Sequence, residues 1–385
     1  MKNISIFGST GSIGRNALDV IRNLPGRFRV TGLSTNRDIM TLRKQIEEFN
    51  PSYVCVCDAK RAAELKRSLG RKIRVFSGSD GLTEFAANPK VNLSVFAVSG
   101  SAALLPLMEA IKNGNDIALA NKEALVMSGP IIMRLAKRIG VKIIPVDSEQ
   151  SAIWQCLIGQ EPGKVMRVYL TASGGPLLNK KREYIDKVTV AKVLRHPKWK
   201  MGRKITVDSA TLMNKGLEFL EAMFLFNLDF DKIKVLIHPQ ALIHSMVEFV
   251  DGVILAQLSA ADMRIPIKYA ICYPERVNSN SPRLDFYRLK ELTFRSPDAA
   301  RFPCLGLAYQ AAQELGSLPA VMNAANEVAV EEFLRGRMKF SVIAELVGKV
   351  MRRHRNVLSP GISDILDSDN WARQEARGLI SRRLG

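Results

Sequence analysis

In the stretch VDSEQSA, residues 146–152, two acids, Asp147 and Glu149, stand on either side of Ser148, directly after the apolar run VKIIP. Side chains two apart leave the same face of an extended segment, and two like charges that close need a counter-ion. Oxygen donors alone suit Mg²⁺ or Mn²⁺, which take few carboxylates and fill the remaining positions with water or substrate. The same residues also fit a helix start. Asp147 or Ser148 could cap a helix containing Ala152, Ile153 and Cys156, with early acids favoured by its dipole, and the two readings are compatible. A second polar set lies in KITVDSATLMNKGLEFLEAMFLF, where Leu212, Leu217, Leu220 and Phe224 have helical spacing. Asn214 and Glu218, four apart, then share a face. With Lys215 they offer an amide, an ammonium and a carboxylate, a set able to hold a polyol and a metal. Asp208, in a second VDS, reads as a structural acid near a helix start.

Several elements must position these groups. NISIFG, residues 3–8, is a β-rich run ending in glycine, and SIGRNALDVIRNL after it has apolar residues at helical spacing. Between them the turn GSTGSIG carries Gly8, Gly11 and Gly14 three apart. Strand, glycine turn and helix form the context in which backbone amides at a helix start bind a pyrophosphate. The next strand, FRVTGLS, ends at Ser34 and is followed by Thr35, Asn36 and Arg37. No acid stands there for the ribose hydroxyls and a guanidinium is close, which argues for the 2′-phosphate of NADP. Further strands, YVCVC, LSVFAV, DIALA and VKIIPV, alternate with helical stretches and predict a doubly wound parallel sheet. Ligands gather outside the carboxyl ends of such strands. Those ends read GSTGSIG, STNR, SGSA, Asn121-Lys122-Glu123 and DSEQ, so VDSEQSA falls on the ligand-binding edge.

The strand VMRVYLTA runs into Ser173, Gly174 and Gly175, small residues whose amides could face an anion. HPKWKMG, residues 196–202, has the composition of a loop; Trp199 suits either a lid over a site or a plug in the core. IKVLIHP, LIHSMVEFV and GVILAQLSA predict strands of a second, mixed sheet. His238 and His244 lack a zinc spacing and read as structural. NSNSPRLDFYRL reads as a linker, and AAQELG, AANEVAVEEFLRG and FSVIAELVGKVMRRH predict a C-terminal helix bundle.

Composition narrows the class. At 385 residues, 47% hydrophobic and 24% charged, the chain is that of a globular protein of two or three domains. No apolar run approaches the roughly 18 residues of a membrane span. ISIFG follows Met1 too closely for a leader, so a cytoplasmic protein is expected. Five cysteines match neither a disulfide framework nor a zinc spacing. The net charge of +19 favours polyanions such as a phosphorylated substrate or a dinucleotide phosphate. Its spread over positions such as Arg352, Arg353 and Arg355, without aromatic platforms, predicts no specific nucleic-acid binding.

GSTGSIG, ANKEALV, PVDSEQSAI, LTASGGP, HPKWKMGRKITVDSATLMNKGLE, IHPQALIHSMVEF, RFPCLGLA and PAVMNAANEVAV, in this order, resemble the 1-deoxy-D-xylulose 5-phosphate reductoisomerase family. The resemblance implies a homodimeric, NADPH-dependent and Mg²⁺- or Mn²⁺-dependent oxidoreductase of non-mevalonate isoprene biosynthesis. Such an enzyme converts a phosphorylated sugar, 1-deoxy-D-xylulose 5-phosphate, into 2-C-methyl-D-erythritol 4-phosphate. Carried over by motif, it implies Asp147, Glu149 and Glu218 as metal ligands, and Lys122, Ser148, Glu149, Ser173, His196, Ser209, Asn214 and Lys215 as substrate-binding residues. Trp199 and Met201 would lie on the loop that closes over the substrate. Thr10, Gly11, Ser12, Ile13, Asn121, Glu123 and Gly202 would meet the cofactor. Thr35, Asn36 and Arg37 depart from the family's glycine, basic residue and asparagine at that tip. Glu149 is the first choice for proton handling, with Lys122 second and His196 in loop closure. The implied fold is α/β: an NADPH-binding Rossmann-type domain over 1–147, a catalytic and dimerisation α+β domain with the mixed sheet over 148–275, a linker over 276–297 and the helical domain over 298–385. The rival enzyme, an NADP-dependent semialdehyde or homoserine type dehydrogenase, shares the glycine turn. Its acylating form needs an exposed cysteine, whereas Cys156 sits among Ile153, Trp154 and Leu157.

Overall fold

The computed structural model describes residues 1–385 apart from 70–72, 200, 279 and 385, so Lys200 of the HPKWKMG loop and Ser279 of the linker lie outside the described residues. In chain order the first part contains β1 (Lys2–Phe7), α1 (Ser12–Arg22), β2 (Phe28–Thr35), α2 (Ile39–Phe49), β3 (Tyr53–Val56), α3 (Ala59–Leu69), β4 (Arg74–Ser77), α4 (Gly78–Ala86), β5 (Leu93–Phe96), α5 (Leu104–Lys112), β6 (Asp116–Leu119), α6 (Lys122–Ile139), β7 (Ile143–Pro145) and α7 (Ser148–Leu157). There follow β8 (Val165–Ala172), α8 (Arg182–Ile185), α9 (Val190–Val193), α10 (Arg203–Thr211), α11 (Met213–Phe226), β9 (Ile233–Ile237), β10 (Ile243–Phe249), β11 (Ile254–Leu258) and α12 (Arg264–Cys272). Four helices complete the chain: α13 (Pro303–Glu314), α14 (Leu318–Leu334), α15 (Val342–Arg353) and α16 (Ile362–Leu384).

These elements group into two compact units. The first comprises Met1–Ala124, Ile132–Ser151 and Asp262–Ser281, the second Leu125–Ile131, Ala152–Ala261 and Pro282–Gly385. In the first, seven strands lie in the order β4-β3-β2-β1-β5-β6-β7, all parallel. The strand order reverses between β1 and β5, the switch point at which a doubly wound sheet opens a crevice for a ligand. The short strands β3 and β5 are buried along their whole length, as strands covered by helices on both faces are. Phe7 stacks on Phe96 with centroids 4.1 Å apart and meets Phe85 edge-on at 4.9 Å, joining β1, β5 and α4 in one core.

The glycine turn is crowded at this switch point. Gly8 has φ +81°, and a Cβ there would lie 2.8 Å from the Ala97 carbonyl oxygen just beyond β5. A Cβ on Gly14 would lie 2.3 Å from the Gly8 oxygen and 2.5 Å from Ser9 Cα. The turn therefore closes on α1 only with hydrogen at both positions.

In the second unit four strands form a mixed sheet in the order β11-β10-β8-β9, with β8 and β9 parallel and the other pairs antiparallel. The sheet and the C-terminal helices share one apolar core, which runs from Val168 and Val247 through Leu217 to Val321, Val328 and Val347. The sequence boundary at 298 does not separate them. α14 is buried along nearly its whole length, and a helix apolar on every side must be covered on every side; α10 and α13 do so together with α15 and α16. The boundary at 275 also shifts, because α12 packs on α1 in the first unit. Arg264 reaches Asp19 at 3.6 Å there. The stretch read as a linker is anchored at its end: Arg295 and Ile237 exchange backbone hydrogen bonds, and Thr293 O accepts from His238 Nδ1 at 3.0 Å. Among the described residues no helix is long and apolar enough to cross a membrane.

Gly14→Ala is expected to lower stability by about 1–3 kcal/mol, since backbone atoms and not a flexible side chain occupy the space. Denaturant unfolding measures this, and an unchanged midpoint would show that the turn has room.

Candidate functional site

The residues singled out by sequence fall into a set in each unit. In the first unit α1 starts at Ser12, with Gly11 at its cap position and no side chain capping it. Its first amides are thus available to an anion, as a pyrophosphate site requires. Ser9 is buried: its hydroxyl donates to Ser34 O and Gln45 Oε1, and Gln45 Nε2 returns a bond to Ser9 O at 2.9 Å. Thr10 and Thr35 join hydroxyl to hydroxyl at 2.7 Å, which ties the glycine turn to the tip of β2. Asn36 continues that tip, its carbonyl accepting from Asp58 N. Arg37 extends into solvent with Nε 3.0 Å from Asp58 Oδ2. Asp58, which sequence reasoning passed over, sets the orientation of that guanidinium.

At the next strand ends Asn121 caps α6, accepting from Ala124 N at 2.9 Å while its Nδ2 donates to Val98 O, Gly100 O and Glu123 Oε2. Lys122 begins the helix. Its Nζ stands 2.7 Å from Asp147 Oδ2, and the two side chains are only 5% and 11% exposed. The sheet produces this pair: β6 and β7 are parallel neighbours with Leu119 beside Pro145, so residues just beyond each strand meet. A pair so far from water is worth keeping only with good geometry, and loss of one partner leaves an uncompensated charge. Asp147 and Glu149 meet as a helix start and not across an extended strand. Ser151 N donates to Asp147 O, placing Asp147 at the cap of α7, and Glu149 in the first turn accepts the Ser148 hydroxyl.

In the second unit Gly174 and Gly175 both have positive φ after β8. Ser173 Oγ accepts from Gly175 N at 3.3 Å and lies 3.1 Å from His196 Nε2. His196 Nδ1 accepts from two amides, Lys198 N at 3.2 Å and Trp199 N at 2.9 Å. The ring therefore carries its proton on Nε2 and donates to Ser173, whose own hydroxyl hydrogen remains for a further acceptor such as a phosphate oxygen. Burial lowers the His196 pKa to about 4, so the ring is a neutral donor near pH 7, which narrows the role open to it. Trp199 lies 6.0 Å, ring to ring, from the buried His244. Met201 follows, half-buried, and Gly202 caps α10 with its carbonyl accepting from Thr206.

Leu212, at φ 61°, breaks the helical stretch into α10 and α11. Ser209 lies in the last turn of α10, its carbonyl against Gly175, where a Cβ would approach to 2.7 Å. On α11 the Glu218 carboxylate is 1% exposed and is held by the Asn214 amide and the Lys215 ammonium. The spacings of three and four residues alone bring all three together.

The first unit thus has the fold and the open helix terminus of a dinucleotide-dependent enzyme, and both sets supply carboxylates of the kind that hold a hard cation. The likeness to known proteins is more specific. A family model described as 1-deoxy-D-xylulose 5-phosphate reductoisomerase matches residues 4–129, and models of the C-terminal domains of that enzyme match 143–226 and 258–375. A 1-deoxy-D-xylulose 5-phosphate reductoisomerase of Chlorobium phaeobacteroides is 50% identical over 383 residues, 99% of this chain and 100% of its own. One of Thermodesulfovibrio yellowstonii is 48% identical over 380 residues, again 99% of this chain and 100% of its own. A crystal structure of DOX-P reductoisomerase in complex with NADPH, fosmidomycin and magnesium has a TM-score of 0.93 at 37% identity, covering 99% of this chain and 98% of the other. The Zymomonas mobilis enzyme in complex with NADPH reaches 0.91 at 37% identity, covering 98% and 99%. The chain belongs to the 1-deoxy-D-xylulose 5-phosphate reductoisomerase family.

The neutral His196 gives a pH prediction. The unfolded chain takes up a proton below about 6.5 and the folded ring only near 4, so its contribution to stability is present above 6.5 and lost as pH falls from 6.5 towards 4. An NMR titration of the ring is expected to show it neutral at about pH 5.5; a midpoint at or above 6 would remove the neutral donor.

Proposed function

We propose that the protein converts 1-deoxy-D-xylulose 5-phosphate into 2-C-methyl-D-erythritol 4-phosphate with NADPH and Mg²⁺ or Mn²⁺. The observation that carries this reading is identity of about half the residues to reductoisomerases along the whole chain. The acylating form of the rival dehydrogenase finds no support, because Cys156 is buried and desolvation pushes its thiol up to about 11, away from the thiolate a nucleophile needs; against the other forms stands the identity to reductoisomerases along the whole chain.

Asp147, Glu149 and Glu218 are the proposed ligands of one divalent ion. Their donor chemistry fits: oxygen only, with ammonium groups already balancing two of them. Such an ion, when bound, supplies Lewis acidity and a template for the substrate oxygens, and NADPH supplies a hydride. The chain's own part is to hold and orient. Ser173, Ser209, Asn214 and Lys215 are proposed to take the phosphate, for which hydroxyl, amide and ammonium donors suit better than carboxylates. Ser148, whose hydroxyl is turned towards Glu149, keeps that carboxylate aimed for proton handling, with Lys122 as the second group able to do so. His196 holds Ser173 through Nε2 and the backbone of Lys198 and Trp199 through Nδ1. One ring thereby couples the loop to the phosphate donors, and closing that loop excludes water. The uncapped start of α1, with Thr10 to Ile13, is the proposed pyrophosphate cradle, and Gly8 and Gly14 fit because the tight turn that presents those amides has no room for a Cβ at either. Asn121, Glu123 and Gly202 are proposed further cofactor contacts.

A homodimer and a cytoplasmic location complete the proposal. β11 is an edge strand, and Val250, Val253, Ile254 and Leu255 at it are exposed, which suits a second copy. Free cysteines, four of them buried, suit a reducing compartment. Sedimentation is expected to give twice the mass of the 42.7 kDa chain; a single monomeric species would refute the dimer.

The decisive assay follows NADPH absorbance with 1-deoxy-D-xylulose 5-phosphate, with Mn²⁺ or with EDTA. Oxidation should require substrate and metal together. Glu218→Gln is expected to lower turnover at least roughly a hundredfold while NADPH binding, read by fluorescence, survives. An active Gln variant would take Glu218 out of the metal site, and oxidation indifferent to EDTA would sink the reading.

A further inference from the structure

We propose that Asn326, on α14 of the C-terminal helices, is a positioning residue for the substrate phosphate, acting through Asp208 on the turn that carries Ser209, Asn214 and Lys215. This rests on the phosphate-binding roles given above. Asp208 is 1% exposed and Asn326 not exposed at all. Asn326 Nδ2 donates to Asp208 Oδ1 at 2.8 Å across 118 residues of sequence, and Lys204 Nζ stands 2.9 Å from the other oxygen, Oδ2. Each carboxylate oxygen thus has its own donor, and the side chain cannot rotate without losing one. The backbone continues the constraint. Thr211 Oγ1 donates to Asp208 O at 3.1 Å and accepts from Met213 N at 3.2 Å, bridging the end of α10 to the first residue of α11.

Between them Leu212 sits at φ 61°, a conformation costly for leucine that persists only where its surroundings enforce it. That single residue sets the angle at which Ser209, just before it, and Asn214 and Lys215, just after it, present their donors. The choice of an amide supports a directional role. Asn326 Oδ1 is buried with no protein partner among the described residues, so an apolar side chain of similar size would spare the cost of burying it. What only the amide supplies is a donor aimed at Asp208. Lys204 alone can still balance the Asp208 charge, so loss of Asn326 should loosen the turn without unfolding the chain.

The test is steady-state kinetics on full-length Asn326→Leu and on the reciprocal double variant Asp208→Asn/Asn326→Asp, with inorganic phosphate as competitive inhibitor. In the double variant the amide now on α10 can accept from Lys204 and donate to the carboxylate now on α14. For Asn326→Leu, KM for the phosphorylated substrate and Ki for phosphate should both rise about tenfold, the equivalent of one charge-assisted hydrogen bond. KM for NADPH should stay within about twofold, a change too small to reflect a lost contact. The reciprocal variant should recover most of the loss. An unchanged substrate KM and phosphate Ki in Asn326→Leu would overturn the proposal. So would substrate and NADPH parameters worsening together, the mark of a merely structural role, or a double variant no better than the single one. Wild-type protein without substrate-dependent NADPH oxidation would overturn the underlying functional reading and this inference with it; an active wild type with unshifted variants overturns this inference alone.

Discussion

A carboxylate taken out of water keeps its charge only with donors pressed against it, and this condition governs both polar sets. The chain meets it in two ways. Glu218 finds its donors on its own helix, three and four residues back, so the α-helical repeat alone delivers Lys215 and Asn214. Asp147 takes the Glu149 amide locally at 3.2 Å, but the helix it caps carries no cation. Its ammonium comes from Lys122, twenty-five residues away, and reaches it only because β6 and β7 run parallel in register. The first arrangement survives any change that leaves α11 helical. The second depends on the whole sheet edge, and therefore on the core beneath it.

The same contrast decides what could be read from sequence. Strand ends in a parallel sheet all point one way, so alternation of apolar runs with helical stretches is enough to place the glycine turn, Asn121 to Glu123 and the DSEQ stretch on one edge. The i to i+4 relation of Asn214 and Glu218 was legible for the same reason: it follows from a period. The helix start at Asp147 was legible only as one of two readings, because the residues that cap helices are also those that bind cations. What had no period was not visible. Nothing in HPKWKMG announces that His196 Nδ1 takes two amides of its own loop, nor that Arg37 rests on Asp58. The break at Leu212 was hidden as well, since leucine is a residue that neighbouring sequence would place in continuous helix.

The second VDS stretch shows how tertiary context rewrites a local reading. Asp208 was expected near a helix start, where its charge would favour the dipole. It lies instead near the end of α10, where the dipole opposes it, and it is held there by Lys204 and Asn326. Lys204, four residues earlier, could have been guessed from spacing; Asn326, far along the chain, could not.

That remote partner also bears on how the chain is divided. A C-terminal helix bundle reads from sequence as an appendage with a core of its own. Yet α14 is apolar on nearly every side, and helices of the bundle alone leave part of such a surface uncovered. α10 covers that remaining part, and a buried polar contact within an apolar interface bears on register more than on stability. The Asn326–Asp208 bond is that contact. It ties α14 to α10 at one directional point, and the residues beside that point are those just before and just after the Leu212 turn.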